Sequence, residues 1–407
     1  MSLTTRVLIG LVAGFLLGFG LGATSSPVAA TILAILTPVG TIFINLIRMT
    51  VVPLVASMLF ATVGSMAASG ALGRMAGRAV LMALGIVAVT AVATVLIAVP
   101  VFARLHIDHE AAMALRGPTP PPPGPVAGVA APLVQVFVDL VPPNVVKAAA
   151  DGAILPVIVF SVLFGIALAR VTAERRDAVL RVAHGIADAM QQLIVAIIGL
   201  APIGVFALAV PLAAKLGLAA VGAVAAYIAL VVALTVLVGV LVLYPMGIVA
   251  GSMTPRAFVA FCAPAQAVAF ASRSSLAALP AMVESAERAG MPPAVSRFVL
   301  PLVASVSHVG AAVAQPVGVL FLARLYGVAL SPAQLATVVV TVMFATFAVP
   351  GGPGGSIIAM VPVLAAANLP IEGIGILLAV DTIPDMFRTT ANATGSMSIA
   401  AVLRRHA

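Results

Sequence analysis

The sequence predicts an all-α membrane protein with eight transmembrane helices and two re-entrant helical hairpins arranged as inverted repeats. Of the 407 residues, 63% are hydrophobic and only 8% are charged, and the mean hydropathy is +1.25. Soluble domains carry about 25% charged residues, so a membrane environment is expected. The chain also contains many apolar segments near or above the ~20 residues that cross a bilayer. Two further apolar segments are interrupted at their centres by small or polar residues, a pattern typical of hairpins that enter a membrane and return.

Eight long apolar segments predict the spans. They cover residues 7–24, 28–66, 79–102, 133–171, 187–214, 219–250, 295–325 and 373–403. Several are longer than a perpendicular helix needs, so tilt or breaks are expected. Residues 117–125, Gly-Pro-Thr-Pro-Pro-Pro-Pro-Gly-Pro, cannot lie inside a helix because proline lacks the amide donor, and they predict an extended extracellular loop.

The net charge of +8 is interpreted as an orientation signal. Arginines cluster in the connectors at 74–78 and 170–181 and at residues 404–405. Because cytoplasmic loops are enriched in Lys and Arg, these positions predict that both termini are cytoplasmic and that the protein spans the inner membrane. No basic run with interleaved aromatic residues favours nucleic-acid binding. The single cysteine, Cys262, excludes a disulfide framework and a cysteine-based metal site, and the sequence has no ATP-binding signature, so we expect no cofactor.

Two segments predict the hairpins. Residues 255–290 carry Ser-Arg-Ser-Ser at 272–275, and residues 331–369 carry Gly-Gly-Pro-Gly-Gly-Ser at 351–356. A long span follows each of them, so the order hairpin then span occurs twice. Two such units that enter from opposite sides form an inverted repeat. Broken segments at matching places in two halves indicate where a transporter binds its substrate.

The last span carries a polar stripe. Asp381, Asp385, Arg388 and Asn392 are spaced four, three and four residues apart, which places them on one helix face together with Thr389. Ionisable groups at membrane depth are costly and mark functional sites by default. The alternative is an Asp–Arg pair that only locks helix packing. The additional amide and hydroxyl exceed what such a pair needs, so the stripe predicts a binding site.

These motifs resemble the glutamate/aspartate transporter family, the dicarboxylate/amino acid:cation symporters. Asn-Leu-Ile-Arg-Met-Thr-Val-Val-Pro-Leu at 45–54 looks like the second-span motif, and the segments at 272–275 and 352–355 look like the two hairpin tips. The segment 141–156 resembles the fourth-span region, and 201–206 the fifth. Asp-Met-Phe-Arg-Thr-Thr-Ala-Asn at 385–392 matches the last-span motif of carriers for acidic amino acids.

The resemblance implies a homotrimer in the lipid bilayer that works by an elevator mechanism, with a transport domain moving against a scaffold. Residues 1–70 (spans 1 and 2) and 106–214 (the Pro-rich loop, spans 4 and 5) would form the scaffold. Residues 71–105 (span 3) and 215–407 (span 6, hairpin 1, span 7, hairpin 2 and span 8) would form the transport domain.

The resemblance also implies the ligand contacts. Asp385 would receive the substrate ammonium, Arg388 its distal carboxylate and Asn392 its α-carboxylate. The full expected substrate-binding set is Arg273, Ser274, Ser275, Gly352, Pro353, Gly354, Asp381, Asp385, Arg388, Thr389 and Asn392. Independently of the resemblance, a guanidinium offers a fork that a carboxylate fits.

The chain departs from the family pattern where the family binds sodium. The seventh-span signature Asn-Met-Asp-Gly-Thr is replaced by Ser-His-Val-Gly-Ala at 307–311, which puts Val309 in place of a sodium-ligating Asp. Ser396 replaces a second acid. Two lost carboxylates argue against coupling to three sodium ions, although sodium binding stays open. The candidate residues for ion or proton coupling are Ser307, His308, Asp381, Asp385 and Ser396.

Three residues keep two interpretations each. His308 either titrates and carries a proton, or is a neutral ring bonded to a backbone carbonyl that the helix break exposes. Asp381 is either a counter-charge for Arg388 or a protonatable coupling group. Arg273 either positions the acids of the last span or extends to the membrane interface.

The predicted function is secondary active transport of aspartate, glutamate or related dicarboxylates, with proton coupling the favoured driving force. The alternative is an uncoupled facilitator or anion-conducting channel of the same fold. An intramembrane enzyme built on Ser274 or Ser275 is disfavoured, because neither a positioned base nor a Gly-x-Ser-x-Gly motif accompanies these serines.

Overall fold

A computed structural model describes residues 3–24, 26–67, 70–104, 138, 141–151, 154–216, 219–349 and 354–404. Every regular element in these ranges is helical, which confirms the predicted all-α class for the described part of the chain. The predicted Pro-rich loop at 117–125 lies outside the described residues, and so do Gly352 and Pro353.

The first half of the chain contains α1 (Leu3–Gly22), α2 (Pro27–Ala67), α3 (Gly70–Ala103), α4 (Val145–Ala150), α5 (Ile154–Leu168), α6 (Ala173–Gly199) and α7 (Ala201–Leu216). The second half contains α8 (Ala219–Val238), α9 (Pro255–Ser272), α10 (Ser275–Arg288), α11 (Leu300–Val306), α12 (Val309–Leu325), α13 (Pro332–Ala345), α14 (Gly355–Ile358), α15 (Val361–Ala366), α16 (Ile374–Val380) and α17 (Thr382–Leu403). Short π-helical turns extend α8 through Ala250 and precede α11.

Four helices in the described residues are long and apolar enough to cross a membrane by themselves. They are Thr5–Gly22, Arg74–Ala103, Val224–Ala250 and Ala294–Leu325. A fifth crossing results if Ala173–Ile197 and Ala201–Pro211, which meet at 59°, form one bent span. The predicted number of eight spans therefore stays a prediction.

Helix α6 begins earlier than the apolar pattern predicts. Arg175, Arg176 and Arg181, which the sequence places in a connector, lie on this helix. The helix starts at Ala173, so these arginines have a helical backbone conformation. Arg175 and Arg181 are exposed. Because Arg is a good helix former, a charged extension costs the helix little. Hydropathy therefore marks only the apolar part of this helix.

Each predicted hairpin has two helical arms in the described residues, and residues 350–353 at the tip of hairpin 2 lie outside them. In hairpin 1 (residues 255–290), α9 and α10 join at Arg273, whose backbone is left-handed at φ 54°. The Ser274 side chain accepts a hydrogen bond from the Ala277 amide and so caps α10. In hairpin 2 (residues 331–369), α13 runs into a 3₁₀ turn at Thr346–Ala348, and α14 and α15 form the returning arm. Re-entry of either hairpin into the bilayer stays a prediction.

Helix α12 is the centre of the second half of the chain. Nearly every residue of α12 is buried, and it contacts α3, α8 and α17. A helix that is apolar on all sides is expected in such a surrounded position. Helix α12 is separated from α11 by Ser307 and His308, so the seventh predicted span is broken. A β-carbon on Gly310 would clash with the backbone of Arg388, so glycine permits α12 and α17 to approach closely at this break.

Candidate functional site

The predicted polar stripe forms a buried ionic cluster where α16 meets α17. The Arg388 side chain is fully buried, and its Nη2 donates hydrogen bonds to Asp381 Oδ2 and Asp385 Oδ1, each at 2.8 Å. Its Nη1 makes an ion-pair contact of 2.7 Å with Asp381 Oδ1 that lies outside hydrogen-bond geometry. Two buried carboxylates thus face one buried guanidinium, and the pairing offsets the large cost of burying each charge.

The guanidinium has two nitrogens that make no hydrogen bond within the described part of the chain, and one of them, Nη1, lies in the ion pair with Asp381. Arg388 Nε and Nη1 are buried and have no hydrogen-bond partner among the described residues. Buried polar atoms are normally hydrogen-bonded, so unused donors in a native structure require an explanation. A carboxylate that took the place of Asp381 would supply acceptors for Nη1 and Nη2, which form one edge of the guanidinium. The pairing itself fits the packing lock that the sequence left as an alternative, while the unsatisfied nitrogens favour a binding site, which stays a prediction.

Hairpin 2 contributes a backbone donor to this cluster. The Gly354 amide donates a hydrogen bond of 3.2 Å to Asp385 Oδ2. Gly354 has φ 76°, a left-handed conformation that favours glycine, so the residue type is dictated by the backbone here. Of the three residues predicted at this tip, the described structure thus places Gly354 at the acids.

Asn392 joins the broken span to the last helix. Its Oδ1 accepts a hydrogen bond of 2.8 Å from the Gly310 amide, one of the free amides at the start of α12. The donor Nδ2 is therefore the group that can serve a carboxylate. Thr389 is buried on the same helix, and the Ser396 hydroxyl donates to the Asn392 carbonyl at 3.0 Å.

Hairpin 1 approaches the cluster from another direction. Arg273 is half-buried, and its Nη1 donates to Thr382 Oγ1 at 3.4 Å, one residue from Asp381. This contact favours the interpretation in which Arg273 positions the acids of the last span. Ser275 is buried, while the Ser274 hydroxyl is engaged as a helix cap.

His308 is bonded to a backbone carbonyl, but this carbonyl belongs to hairpin 2 and not to the break in the seventh span where the sequence interpretation placed it. The ring is 1% exposed, and its Nδ1 lies 2.9 Å from the carbonyl oxygen of Thr346 in hairpin 2. A carbonyl oxygen can only accept, so Nδ1 carries the proton in this contact. Nε2 is buried and has no partner in the described part of the chain, and neither has the Ser307 hydroxyl. Among the described residues, no group of three or more His, Cys, Asp or Glu side chains is arranged to hold a metal ion.

Sequence reasoning missed two residues at the site. The Tyr227 hydroxyl on α8 is buried without a hydrogen-bond partner among the described residues, and α8 packs against α17, which carries Asp385 and Arg388. Gln315 on α12 donates to the Ser356 carbonyl of hairpin 2 at 3.1 Å. Both are polar residues inside apolar helices, and that signal could have selected them as candidates.

Cavity volume does not identify the site. A groove of about 570 Å³ between α2, α5 and α6 is lined by apolar residues such as Phe60 and Phe164. A second groove, of about 370 Å³, lies between α1, α8 and the start of α17 and is also apolar. Neither contains the ionic cluster, so the candidate site is defined by its chemistry.

A highly apolar helical chain with a broken central span, two helical hairpins and a buried ionic cluster between them defines a membrane transporter, not an enzyme. The chain belongs to the sodium:dicarboxylate symporter family, whose family model matches residues 3–406.

Similarity to named relatives extends over nearly the whole chain. It is 29% identical to the proton/glutamate-aspartate symporter of Escherichia coli strain K12, covering 99% of this chain and 92% of that protein. It is 28% identical to the proton/sodium-glutamate symport protein of Bacillus caldotenax, covering 99% and 93%. It is 27% identical to the C4-dicarboxylate transport protein of Rhizobium johnstonii, covering 99% and 88%.

Proposed function

We propose that this protein transports aspartate, glutamate or a related dicarboxylate across the inner membrane, and that protons drive the uptake. The observation that carries the proposal is the buried Arg388, which two carboxylates hold while Nε and Nη1 have no hydrogen-bond partner among the described residues. Relatives named as glutamate-aspartate and C4-dicarboxylate carriers support an acidic substrate.

The proposed binding mode follows from charge complementarity. An acidic amino acid presents one ammonium and two carboxylates. Asp385 receives the ammonium, Arg388 binds the distal carboxylate through its fork, and the Asn392 amide binds the α-carboxylate. The Gly354 amide, which donates to Asp385, keeps that carboxylate oriented. A dicarboxylate lacks the ammonium and relies on Arg388 and the amide donors.

Proton coupling follows from the charges at the site. Asp381, Asp385 and Arg388 together carry one net negative charge when ionised. An acidic amino acid adds another negative charge to a buried site, which is costly. Protonation of one carboxylate restores the original charge, so substrate and proton binding stabilise each other. Asp381 is the group displaced from Arg388 as the distal carboxylate arrives, so we assign the proton to Asp381.

Transport by this protein does not require three sodium ions, the number that the resemblance implies. Val309 and Ser396 stand where the resemblance places acidic ligands, and the Ser396 hydroxyl is bonded to the Asn392 carbonyl. We expect at most one sodium site, formed by backbone carbonyls at the break before α12. His308 then serves to position hairpin 2 and does not carry the proton.

An elevator mechanism in a homotrimer is the proposed means of transport, with both termini cytoplasmic. The moving unit consists of residues 71–105 and 215–407, and the scaffold of residues 1–70 and 106–214. The contacts between helices support this division, because α1 and α2 pack against α5, α6 and α7, whereas α3 and α8 pack against α12 and α17.

The test is uptake of radiolabelled aspartate, glutamate, succinate and malate into proteoliposomes. We expect concentrative uptake of at least one acidic substrate. An Arg288→Cys variant is the matched control for Arg388→Cys, because Arg288 pairs with Glu284 on the exposed face of α10. Uptake that reaches the external concentration and never exceeds it, under any imposed gradient, would show a facilitator instead.

A further inference from the structure

We propose that His308 and Gln315 are positioning residues that hold the two arms of hairpin 2 against the binding site. This inference deepens the proposed function, since it assigns residues that set how long a bound substrate stays. Neither residue contacts the ionic cluster through an observed bond, so both act through the hairpin.

The two donors lie on one face of one helix. His308 is the N-cap of α12, and Gln315 lies seven residues further, about two helical turns along the same side. His308 Nδ1 donates to the Thr346 carbonyl, where the first arm ends, at 2.9 Å. Gln315 Nε2 donates to the Ser356 carbonyl, where the second arm begins, at 3.1 Å. A single rigid helix therefore holds both arms.

Both acceptor carbonyls lie where helical bonding is incomplete. Thr346 lies in a short 3₁₀ turn and Ser356 in a helix of only four residues, so their carbonyls lie at helix ends where regular bonding stops. Donors and acceptors are all at most 5% exposed. Loss of the Gln315 donor would leave the buried Ser356 carbonyl without this bond, which costs more than the bond itself contributes. Loss of the His308 donor would leave the Thr346 carbonyl with only a longer bond of 3.4 Å from the Val349 amide.

The held segment carries the backbone donor of the site. Gly354, two residues before Ser356, donates its amide to Asp385. Any displacement of the second arm therefore changes the contact that orients Asp385. If Asp385 receives the substrate ammonium, looser arms shorten the lifetime of the bound state.

The experiment compares His308→Leu and Gln315→Leu with the unmodified protein by hydrogen exchange in detergent, without substrate. We expect amides of α13–α15 to exchange about tenfold faster in each variant, the scale set by one buried hydrogen bond. His308→Asn keeps a donor near the Nδ1 position and should restore slow exchange. Gln266→Leu is the matched control, because Gln266 ties hairpin 1 to Thr394 at 2.8 Å and should leave hairpin 2 unchanged.

A second measurement links the arms to the substrate. Dissociation of labelled substrate should be about tenfold faster in both leucine variants, with oligomeric state and melting temperature retained. Unchanged exchange in α13–α15, or equally faster exchange in the Gln266→Leu control, would overturn the proposal, and so would unchanged dissociation. The exchange measurement needs no substrate, so absence of acidic-substrate binding in the unmodified protein refutes the proposed function and leaves the positioning role separately testable.

Discussion

Replacement of Arg388 by cysteine is the sharpest test of substrate choice. The change removes a side chain with no solvent exposure and leaves Asp381 and Asp385 without their cation. It also removes the guanidinium fork proposed for the distal carboxylate. Truncating one partner of a buried, hydrogen-bonded charge pair costs on the order of 2–5 kcal/mol. At ~1.4 kcal/mol per factor of ten, acidic-substrate affinity should fall by at least about 30-fold.

The assay is equilibrium binding of aspartate and glutamate to purified protein, with serine and alanine as neutral comparisons. We expect the variant to lose acidic substrates and to admit small neutral amino acids, because the positive charge and the donors for a distal carboxylate are gone. Arg388→Lys keeps the charge without the planar fork and should be intermediate. Arg288→Cys should bind normally. Unchanged aspartate or glutamate affinity in Arg388→Cys would refute the assignment of this residue.

Three further outcomes are expected. The Tyr227 hydroxyl is buried and has no hydrogen-bond partner among the described residues, so we expect it to donate to the bound substrate. Tyr227→Phe should then weaken acidic-substrate binding about fivefold in a titration, as loss of one neutral hydrogen bond does; equal affinities would exclude Tyr227 from the site. Gly310→Ala should destabilise the protein by ~1–3 kcal/mol in thermal unfolding, because its methyl group meets the Arg388 backbone, whereas Gly185→Ala, with open space around it, should not. Asp381→Asn cannot take up a proton and should abolish uptake driven by a pH gradient while exchange of substrate across the membrane persists; retained pH-driven uptake would remove Asp381 from the coupling role.

The sequence predicts the last span better than it predicts its surroundings. The spacing of Asp381, Asp385 and Arg388 fixes which side chains share a face, because helix geometry is local. The partners of Asn392 and His308 depend on how distant segments pack, and the Gly310 amide and the Thr346 carbonyl carry no side-chain signature. Backbone groups of this kind become visible only in the fold.

The sequence pattern does not indicate the polar residues on the helices that pack around the last span. Tyr227 and Gln315 lie in segments whose overall hydropathy predicts plain spans. Each is a single polar group without a periodic partner, so no spacing links it to the acids near the C-terminus. Hydropathy also places the start of α6 too late, since its arginine-rich first turns are helical but not apolar. Patterns within one helix are thus recoverable from sequence, while contacts between helices are not.

The central claim is that proton coupling replaces coupling to three sodium ions, and one comparison of driving forces tests it most directly. Uptake of labelled aspartate and glutamate into proteoliposomes is measured with an inward proton gradient in sodium-free buffer, and with an inward sodium gradient at equal pH on both sides. The account predicts concentrative uptake under the proton gradient and a shallow response to sodium. Steep sodium dependence, with a Hill coefficient above about two and no response to pH, would contradict it, because cooperative sodium binding of that order requires several coupled sites.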